Sequence, residues 1–305
     1  MKNGFCIIMT KYRLYQGIAL YYSLNTIMKN LEIFILCIDE ETYEILSKLN
    51  LINTTLVSIE EIENEVLLKK KIERPLNAYC WTLKPVFLEY VINKFKNINR
   101  ITYIDSDMYF FNDPNPIFEE GAKYSVLLSP HNYTRSLKHL ESICGKYNSG
   151  FISFKKDIEG LNALKWWKER CIEWCYDKVE EGKFGDQKYL DNIQSIFNNT
   201  YDIKTPGVNI GFWNHGRYKT TIINGKVYIN NVQLICYHFA GLRLLSKKEV
   251  AFIIGFKKEF IRDIYNPYIN TLQNVISKVK AISNFNGYFI DKKQVQGAII
   301  HRVNV

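Results

Sequence analysis

The sequence predicts a mixed α/β fold, a mostly parallel sheet flanked by helices, with a small helical extension at the C-terminal end. Three observations carry this expectation. Apolar runs and amphipathic segments alternate strand–helix–strand–helix–strand from Phe5 to Ile59, the pattern of βαβ units in a parallel sheet. A central run, Arg100-Ile-Thr-Tyr-Ile-Asp-Ser-Asp-Met-Tyr-Phe-Phe111, is apolar and β-branched until it breaks into two carboxylates, as a buried strand does where it opens onto a ligand crevice. With 305 residues, 47% of them hydrophobic, the chain can bury one large core or two unequal ones.

The elements follow in order. Phe5-Cys-Ile-Ile-Met9 reads as a first strand and Thr10-Lys-Tyr-Arg13 as its polar turn, followed by helical spacing from Gln16 to about Asn30. Leu31–Ile38 is a second strand, Asp39-Glu-Glu-Thr opens a helix with acids in its first turn, and Thr55–Ile59 is a third strand. Residues 60–79 are charged and helical, with the basic knot Lys69-Lys-Lys71 on a solvated face. The next helix is expected to start with Thr82 as its cap and Pro85 in its first turns, where a missing N–H costs least. Tyr124–Pro130 reads as a strand, Arg135–Cys144 as a helix and Lys146–Phe154 as a strand entered through the small turn Asn148-Ser-Gly150. Asp157 to Lys178 is the longest helical pattern, and its stripe Leu161, Leu164, Trp167, Cys171 and Trp174 is core. Phe184–Asp191 starts another helix, and Thr220–Ile223 and Lys226–Ile229 form a hairpin through an Asn-Gly type I′ turn. Leu234–Gly241 ends a strand with a histidine and a glycine. From Ser246 the pattern is helical and basic, so the expected bounds are a domain over 1–245 and an extension over 246–305; the tail 284–305 carries no clear signal.

Composition narrows the function. No apolar run approaches the roughly 20 residues that span a bilayer, and Met1–Met9 is too short for a secretory h-region. The chain is expected in the cytoplasm, with the inner face of the membrane as a possible station. Seven cysteines scattered singly make no disulfide framework, and Cys171 and Cys175 without a second pair are weak zinc ligands. The net charge of +9 and pI near 9.0 call for nucleic acid, an anionic lipid surface or a phosphorylated substrate as partner. Nucleic acid is set aside, since no zinc-finger spacing, basic-region heptads or aromatic RNP-like strand is present. The turn after the first strand lacks both the Gly-x-Gly-x-x-Gly and the Gly-x₄-Gly-Lys-Ser/Thr fingerprints, which argues against a dinucleotide dehydrogenase and a P-loop NTPase. A sugar-phosphate nucleotidyltransferase calls for a glycine-rich loop there, and Met9-Thr-Lys-Tyr-Arg13 has no glycine.

The chemistry centres on Asp105 and Asp107. Strand alternation points both the same way, and two hard oxygen ligands at a strand end suit Mn²⁺ or Mg²⁺ together with substrate phosphates; the alternative is a pair of acids opening the turn before Asn112-Asp113-Pro114. His238 at a later strand end is either a structural histidine or, coupled to the Asp pair, completes such a site with an imidazole; the other four histidines have no comparable setting. Lys84, near a predicted helix start, either serves an anionic ligand or lies on the surface. Asn148, Ser149 and Gly150 offer amide, hydroxyl and close backbone approach for sugar hydroxyls. Asp186 is a helix cap or a substrate acceptor. Asn209 and Trp213 stand in the loop Thr205-Pro-Gly-Val-Asn-Ile-Gly-Phe-Trp213, of the type that lines sugar sites.

With Asp105-Ser-Asp107, Asn148-Ser-Gly150, Gly185-Asp-Gln187 and His238-Phe-Ala-Gly241 in this order, the chain resembles the nucleotide-diphospho-sugar transferases of the GT-A fold. It looks nearest to the group around glycosyltransferase family 8 and related bacterial surface-polysaccharide transferases, over Phe5 to about Arg243. The resemblance implies a Rossmann-like GT-A domain and a metal-dependent hexosyltransferase. Asp105, Asp107 and His238 would hold Mn²⁺ on the diphosphate of a donor, UDP-sugar first. Thr10, Lys11 and Tyr12 match the family's base and ribose loop, and Ser106 would lie under the ribose. Asn148, Ser149 and Gly150 would face donor or acceptor sugar, and Asp186 and Gln187 match the pair bordering the anomeric carbon. The family's Lys-Pro-Trp after His-x-x-Gly is absent. Gly241 is expected at the substrate; after it stands Leu242-Arg243, and Arg243 is expected to supply the charge on the leaving diphosphate. The acceptor would be a saccharide or a lipid-linked saccharide, the latter with peripheral membrane contact through the basic residues after Ser246; those residues fit equally a helix packed on the catalytic domain. The non-enzyme alternative is a basic carbohydrate- or polyanion-binding module on the same scaffold.

Overall fold

The computed structural model describes residues 2–302; residues 1 and 303–305, which the expected domain bounds include, lie outside them. β1 (Asn3–Met9), α1 (Leu14–Ile27), β2 (Ile33–Cys37), α2 (Glu40–Leu49) and β3 (Thr54–Ser58) build the expected βαβ unit. Asp39 caps α2, its Oδ1 accepting from Thr42 N–H at 2.9 Å. α3 (Glu65–Glu73) and α4 (Leu76–Lys94) follow, then β4 (Arg100–Ile104), β5 (Met108–Phe110), α5 (Asn115–Glu120) and β6 (Val126–Pro130). Next come α6 (Leu140–Cys144), β7 (Tyr147–Lys155), α7 (Ile158–Glu173), α8 (Ile193–Ile196) and β8 (Thr200–Asp202). The remainder holds β9 (Thr220–Ile223), β10 (Lys226–Ile229), β11 (Val232–Gln233), β12 (Cys236–His238), β13 (Leu242–Leu244), β14 (Glu249–Phe252), α9 (Asn266–Ile282) and β15 (Ile299–Arg302).

The main sheet runs β3-β2-β1-β4-β7-β6-β8, and β7 alone runs against the others. Strand order reverses between β1 and β4, so their C-terminal ends open a crevice where such sheets bind ligands. Alternation splits β1 between two cores: Phe5, Ile7 and Met9 join α1, α2 and α9 on one face, while Cys6 and Ile8 join α4 and α7 on the other. Trp167, fully buried from α7, stacks on Phe154 with centroids 5.8 Å apart, as its stripe predicted. The Asn224-Gly225 hairpin is present, both residues at positive φ (51° and 74°) as the turn type demands.

Two expectations are corrected. α4 begins at Leu76 after Pro75, not at Thr82, so Pro85 lies inside the helix and Thr82 is buried. The Thr82 hydroxyl donates to Ala78 O at 2.8 Å in place of capping. Second, the region after Ser246 is not helical throughout. β14 pairs antiparallel with β13 and with β15, a long-range contact that overrides the basic helical pattern. No helix among the described residues is long and apolar enough to cross a membrane.

Candidate active site

At the end of β4 the chain keeps hold of the sheet, Asp105 N–H donating to Gly150 O at 2.9 Å. It then turns tightly, Met108 N–H donating to Asp105 O at 3.0 Å, and enters β5, which pairs with β12 so that Met108 faces His238. Ligand atoms of Asp105, Asp107 and His238 therefore lie within 4.8 Å of one another. His238 Nε2 is 3.0 Å from Asp107 Oδ1 and 3.8 Å from Asp105 Oδ2. Two carboxylates and an imidazole fit Mn²⁺ or Mg²⁺.

Hydrogen-bond directions fix how the imidazole is presented. Gly150 N–H can only donate, and it donates to Asn148 Oδ1 at 2.9 Å. Asn148 Nδ2 must then face His131 Nε2, 3.2 Å away. The same Oδ1 accepts from Asn209 Nδ2 at 2.9 Å, and Asn209 Nδ2 also donates to Ser129 Oγ at 3.1 Å. Asn209 Oδ1 is left facing His238 Nδ1 at 3.1 Å. An amide oxygen only accepts, so Nδ1 carries a proton and Nε2 is the atom turned to the carboxylates; burial opposes a charged ring, but Asp107 and Asp105 raise its pKa, and a bound metal would take the place of the Nε2 proton. Metal-bound histidines are oriented in this way. Asn209 is fully buried and sits at φ 50°, a left-handed conformation that asparagine tolerates. Gly150 is required by space, since a Cβ there would lie 2.7 Å from Asn148 Oδ1, Asp105 Oδ2 and His238 Cε1.

Beside this cluster stands Lys84 of α4, only 3% exposed. Its Nζ lies 3.1 Å from Asp105 Oδ1, 3.3 Å from Asp186 Oδ2 and 3.0 Å from Ser149 Oγ. Burial opposes its charge, but Asp105 and Asp186 outweigh burial and raise its pKa above the ordinary lysine value. Burial raises the Asp186 carboxyl as well, and Lys84 only partly offsets it. One cation is thus shared by two carboxylates, and it is held charged by them. Burial also opposes ionisation of Asp107, yet His238, Arg13 and Arg243 hold its carboxyl well below the usual range. Arg13 Nη1 is 3.8 Å from Asp107 Oδ2. Arg243 Nη1 donates to Ala240 O at 2.7 Å and to Leu242 O at 2.9 Å.

A cavity of about 620 Å³ covers these groups. Thr10, Tyr12, Lys84, Asp105, Ser106, Asp107, Asn148, Ser149, Asp186, Gln187, Trp213, His238 and Arg243 line it. Four residues expected at the substrate do not. Lys11 offers its backbone N–H to Asp39 Oδ2 at 2.9 Å. Gly150 and Asn209 lie beneath the cluster, and Gly241 packs where a Cβ would meet Ile254 O at 2.6 Å. Lys84 is no surface residue, and Asp186 caps no helix: Gln187 is the capping position of the 3-10 turn Lys188–Asn192, without a side-chain bond. Gln187 Nε2 donates to Cys144 O at 2.8 Å. Sequence reasoning missed Arg13, Asn77, Trp81, Asp177 and Phe184 in the cavity and His131 and Ser129 beneath it. Arg13 stood in the turn already singled out, and Trp81 lies one helical turn before Lys84. The other five gave no local signal.

No family model matches the chain. It is 42% identical over 296 residues to the uncharacterized protein YfnF of Bacillus subtilis (strain 168), across 94% of this chain and 98% of that one. To YfnD of the same organism it is 32% identical over 297 residues, across 95% and 96%. Among solved structures it resembles galactosyltransferase LgtC in complex with donor and acceptor sugar analogues, with a TM-score of 0.52 and 10% identity over 89% of this chain and 95% of LgtC. It also resembles the bifunctional glycosyltransferase WbbM, with a TM-score of 0.54 and 13% identity over 91% of this chain and 51% of WbbM, so the chain spans about half the length of that protein. At such identities these two likenesses speak to fold alone. The chain thus has the GT-A glycosyltransferase fold and belongs to the family of the Bacillus subtilis proteins YfnF and YfnD.

Proposed function

We propose that this protein is a divalent-metal-dependent glycosyltransferase. It moves a hexosyl group from a nucleotide-diphospho-sugar, UDP-sugar first, to a saccharide or glycoconjugate acceptor with retention of configuration. The observation that carries the reading is the Asp105–Asp107–His238 group at the crevice of the sheet, its imidazole Nε2 turned toward the carboxylates by Asn209. When bound there, Mn²⁺ or Mg²⁺ supplies Lewis-acid stabilisation of charge on the leaving diphosphate.

The chain's own residues supply the rest. Arg13 and Arg243 add fixed positive charge beside Asp107, where it is worth most in a partly desolvated site. Lys84 and Asp186 orient the donor sugar, and the restrained Gln187 amide borders its anomeric carbon as a positioning group. The acceptor hydroxyl oxygen bonds to the anomeric carbon on the face from which the diphosphate departs. The carbon–oxygen bond to the diphosphate breaks, its electron pair leaves with the nucleotide, and the hydroxyl proton passes to the leaving phosphate oxygen. The transition state is oxocarbenium-like, as in glycoside hydrolysis.

The test is UDP release from UDP-glucose, UDP-galactose and UDP-N-acetylglucosamine with Mn²⁺, on wild type and Asp107→Ala. Release from one donor, abolished by the substitution or by chelation, is the expected result. No release with any donor counts against the activity, and an inverted product anomer by NMR counts against retention.

A further inference from the structure

The cavity has two unlike ends. Arg13 and Arg243 stand at the end beside Asp107. At the other end the first turns of α4 face the loop 174–187. That loop is a closed hairpin: Gly185 N–H donates to Tyr176 O at 3.0 Å, and Glu180 and Lys183 bridge antiparallel. Its base is anchored by Arg74, which lies 5.2 Å over the Tyr176 ring and donates to Cys171 O and Ile172 O, both at 2.7 Å. Asn77 Nδ2 donates to Asp177 Oδ2 at 3.2 Å, joining helix to loop.

Two half-buried aromatic side chains, Trp81 and Phe184, line this end. Gly185, at φ 55°, lies against the Trp81 indole, where an added Cβ would come within 3.3 Å of the ring, so the indole is held in place. Beyond Lys84, which Asp105 and Asp186 already occupy, no lysine or arginine among the described residues lines this end. Aromatic faces cover the C–H faces of a pyranose, and an amide–carboxylate pair takes its hydroxyls. A bound carboxylate or phosphate would meet Asp177 with no cation to pair it.

We propose that the Trp81–Phe184–Asn77–Asp177 end of the cavity is the acceptor subsite, and that it takes a neutral or amino-substituted pyranoside and rejects an anionic one. The assignment rests on the glycosyltransferase reading, in which the donor diphosphate takes the Arg13–Arg243 end and the transferred sugar lies between, at Lys84 and Asp186.

The test uses saturation-transfer NMR with methyl β-glucoside, methyl β-glucosaminide and methyl β-glucuronide on the full chain loaded with UDP and Mn²⁺. Calorimetry of UDP on the same samples is the independent arm. The neutral and amino glycosides are expected to bind and the glucuronide not. Trp81→Ala should weaken glycoside binding about tenfold while UDP affinity moves less than about twofold. Asp177→Ala, at an exposed position that does not endanger the fold, should weaken the amino glycoside most and admit the glucuronide. Equal binding of the glucuronide to wild type, unchanged glycoside binding in both variants, or UDP binding with no glycoside bound would each overturn the subsite. Failure of UDP to bind wild type removes the wider reading, and this proposal with it.

Discussion

Asn209 Oδ1 lies 3.1 Å from His238 Nδ1, and the direction of that bond is set two residues further back, by Gly150 N–H on Asn148. The proposed metal ligand is thus oriented by the Asn209 amide, which is buried beneath the cluster and outside the cavity lining. Asn209→Ala should lower Mn²⁺ affinity by about 10–100-fold, the usual range for such supporting residues. Calorimetry with Mn²⁺ measures this directly, and an affinity equal to wild type would mean that the chain Asn148–Asn209–His238 does not orient the ring.

Gly150→Ala tests the space beneath the same cluster. An added Cβ meets three atoms at 2.7 Å, two of them on proposed metal ligands. Overpacking of this kind costs about 1–3 kcal/mol. Urea unfolding should show that loss together with weaker Mn²⁺ binding. A stable variant that binds metal normally would show that the cluster relaxes freely.

Lys84→Met removes the one cation between Asp105 and Asp186. Leaving the buried Asp186 carboxylate unpaired costs about 3–5 kcal/mol, and Lys84 at 3% exposed leaves little room for solvent to screen the loss. The expected result is a large drop in urea midpoint at neutral pH, with Asp186→Asn in the same background recovering part of it. A midpoint unchanged by Lys84→Met would contradict the pairing.

Acid should destabilise the fold from the histidine range downward. Burial pushes His131 down to about 3 and His215 down to about 4, from 6.5. Both folded values are depressed, so their contribution is complete above the unfolded value and is lost as pH falls toward the folded ones, because only the unfolded chain takes up the protons. The slope is about 1.4 kcal/mol per pH unit for each histidine across that window. Urea unfolding at a series of pH values below neutrality reads it. Stability that stays flat from neutral pH to about pH 5 would rule out neutral buried rings at these two positions.

What was legible in the sequence was local. The βαβ order, the strand ending in Asp105 and Asp107, the Asn-Gly turn and the Trp167 stripe each follow from periodicity or turn chemistry within a few residues. What was not legible depends on partners far along the chain. β14 is a strand because β13 and β15 flank it, some fifty residues apart in sequence for the latter pair, as Glu249 opposite Arg302 shows. Pro85 misled because a proline after an apolar stretch looks like a helix start, whereas Pro75 opens α4 and tertiary packing carries the helix through Pro85. In the site, charged and motif residues were visible, but Asn209 and Gly150 were read as sugar contacts. Only the three-dimensional hydrogen bonds reveal that they support His238 from below. Lys84 was ambiguous between surface and ligand for the same reason: its two carboxylate partners come from the turn after β4 and from the loop before Lys188.

The central claim is that the Asp105–Asp107–His238 group holds a divalent ion that in turn holds a nucleoside diphosphate. The most direct measurement is calorimetry of UDP on wild type and Asp107→Ala, each with Mn²⁺ and with chelator. UDP binding to wild type only, and only with Mn²⁺, is the predicted result, accompanied by a stabilisation of about 2.7 kcal/mol at a hundredfold excess over Kd. UDP binding that ignores both the metal and Asp107, or no UDP binding in any of the four conditions, would contradict it.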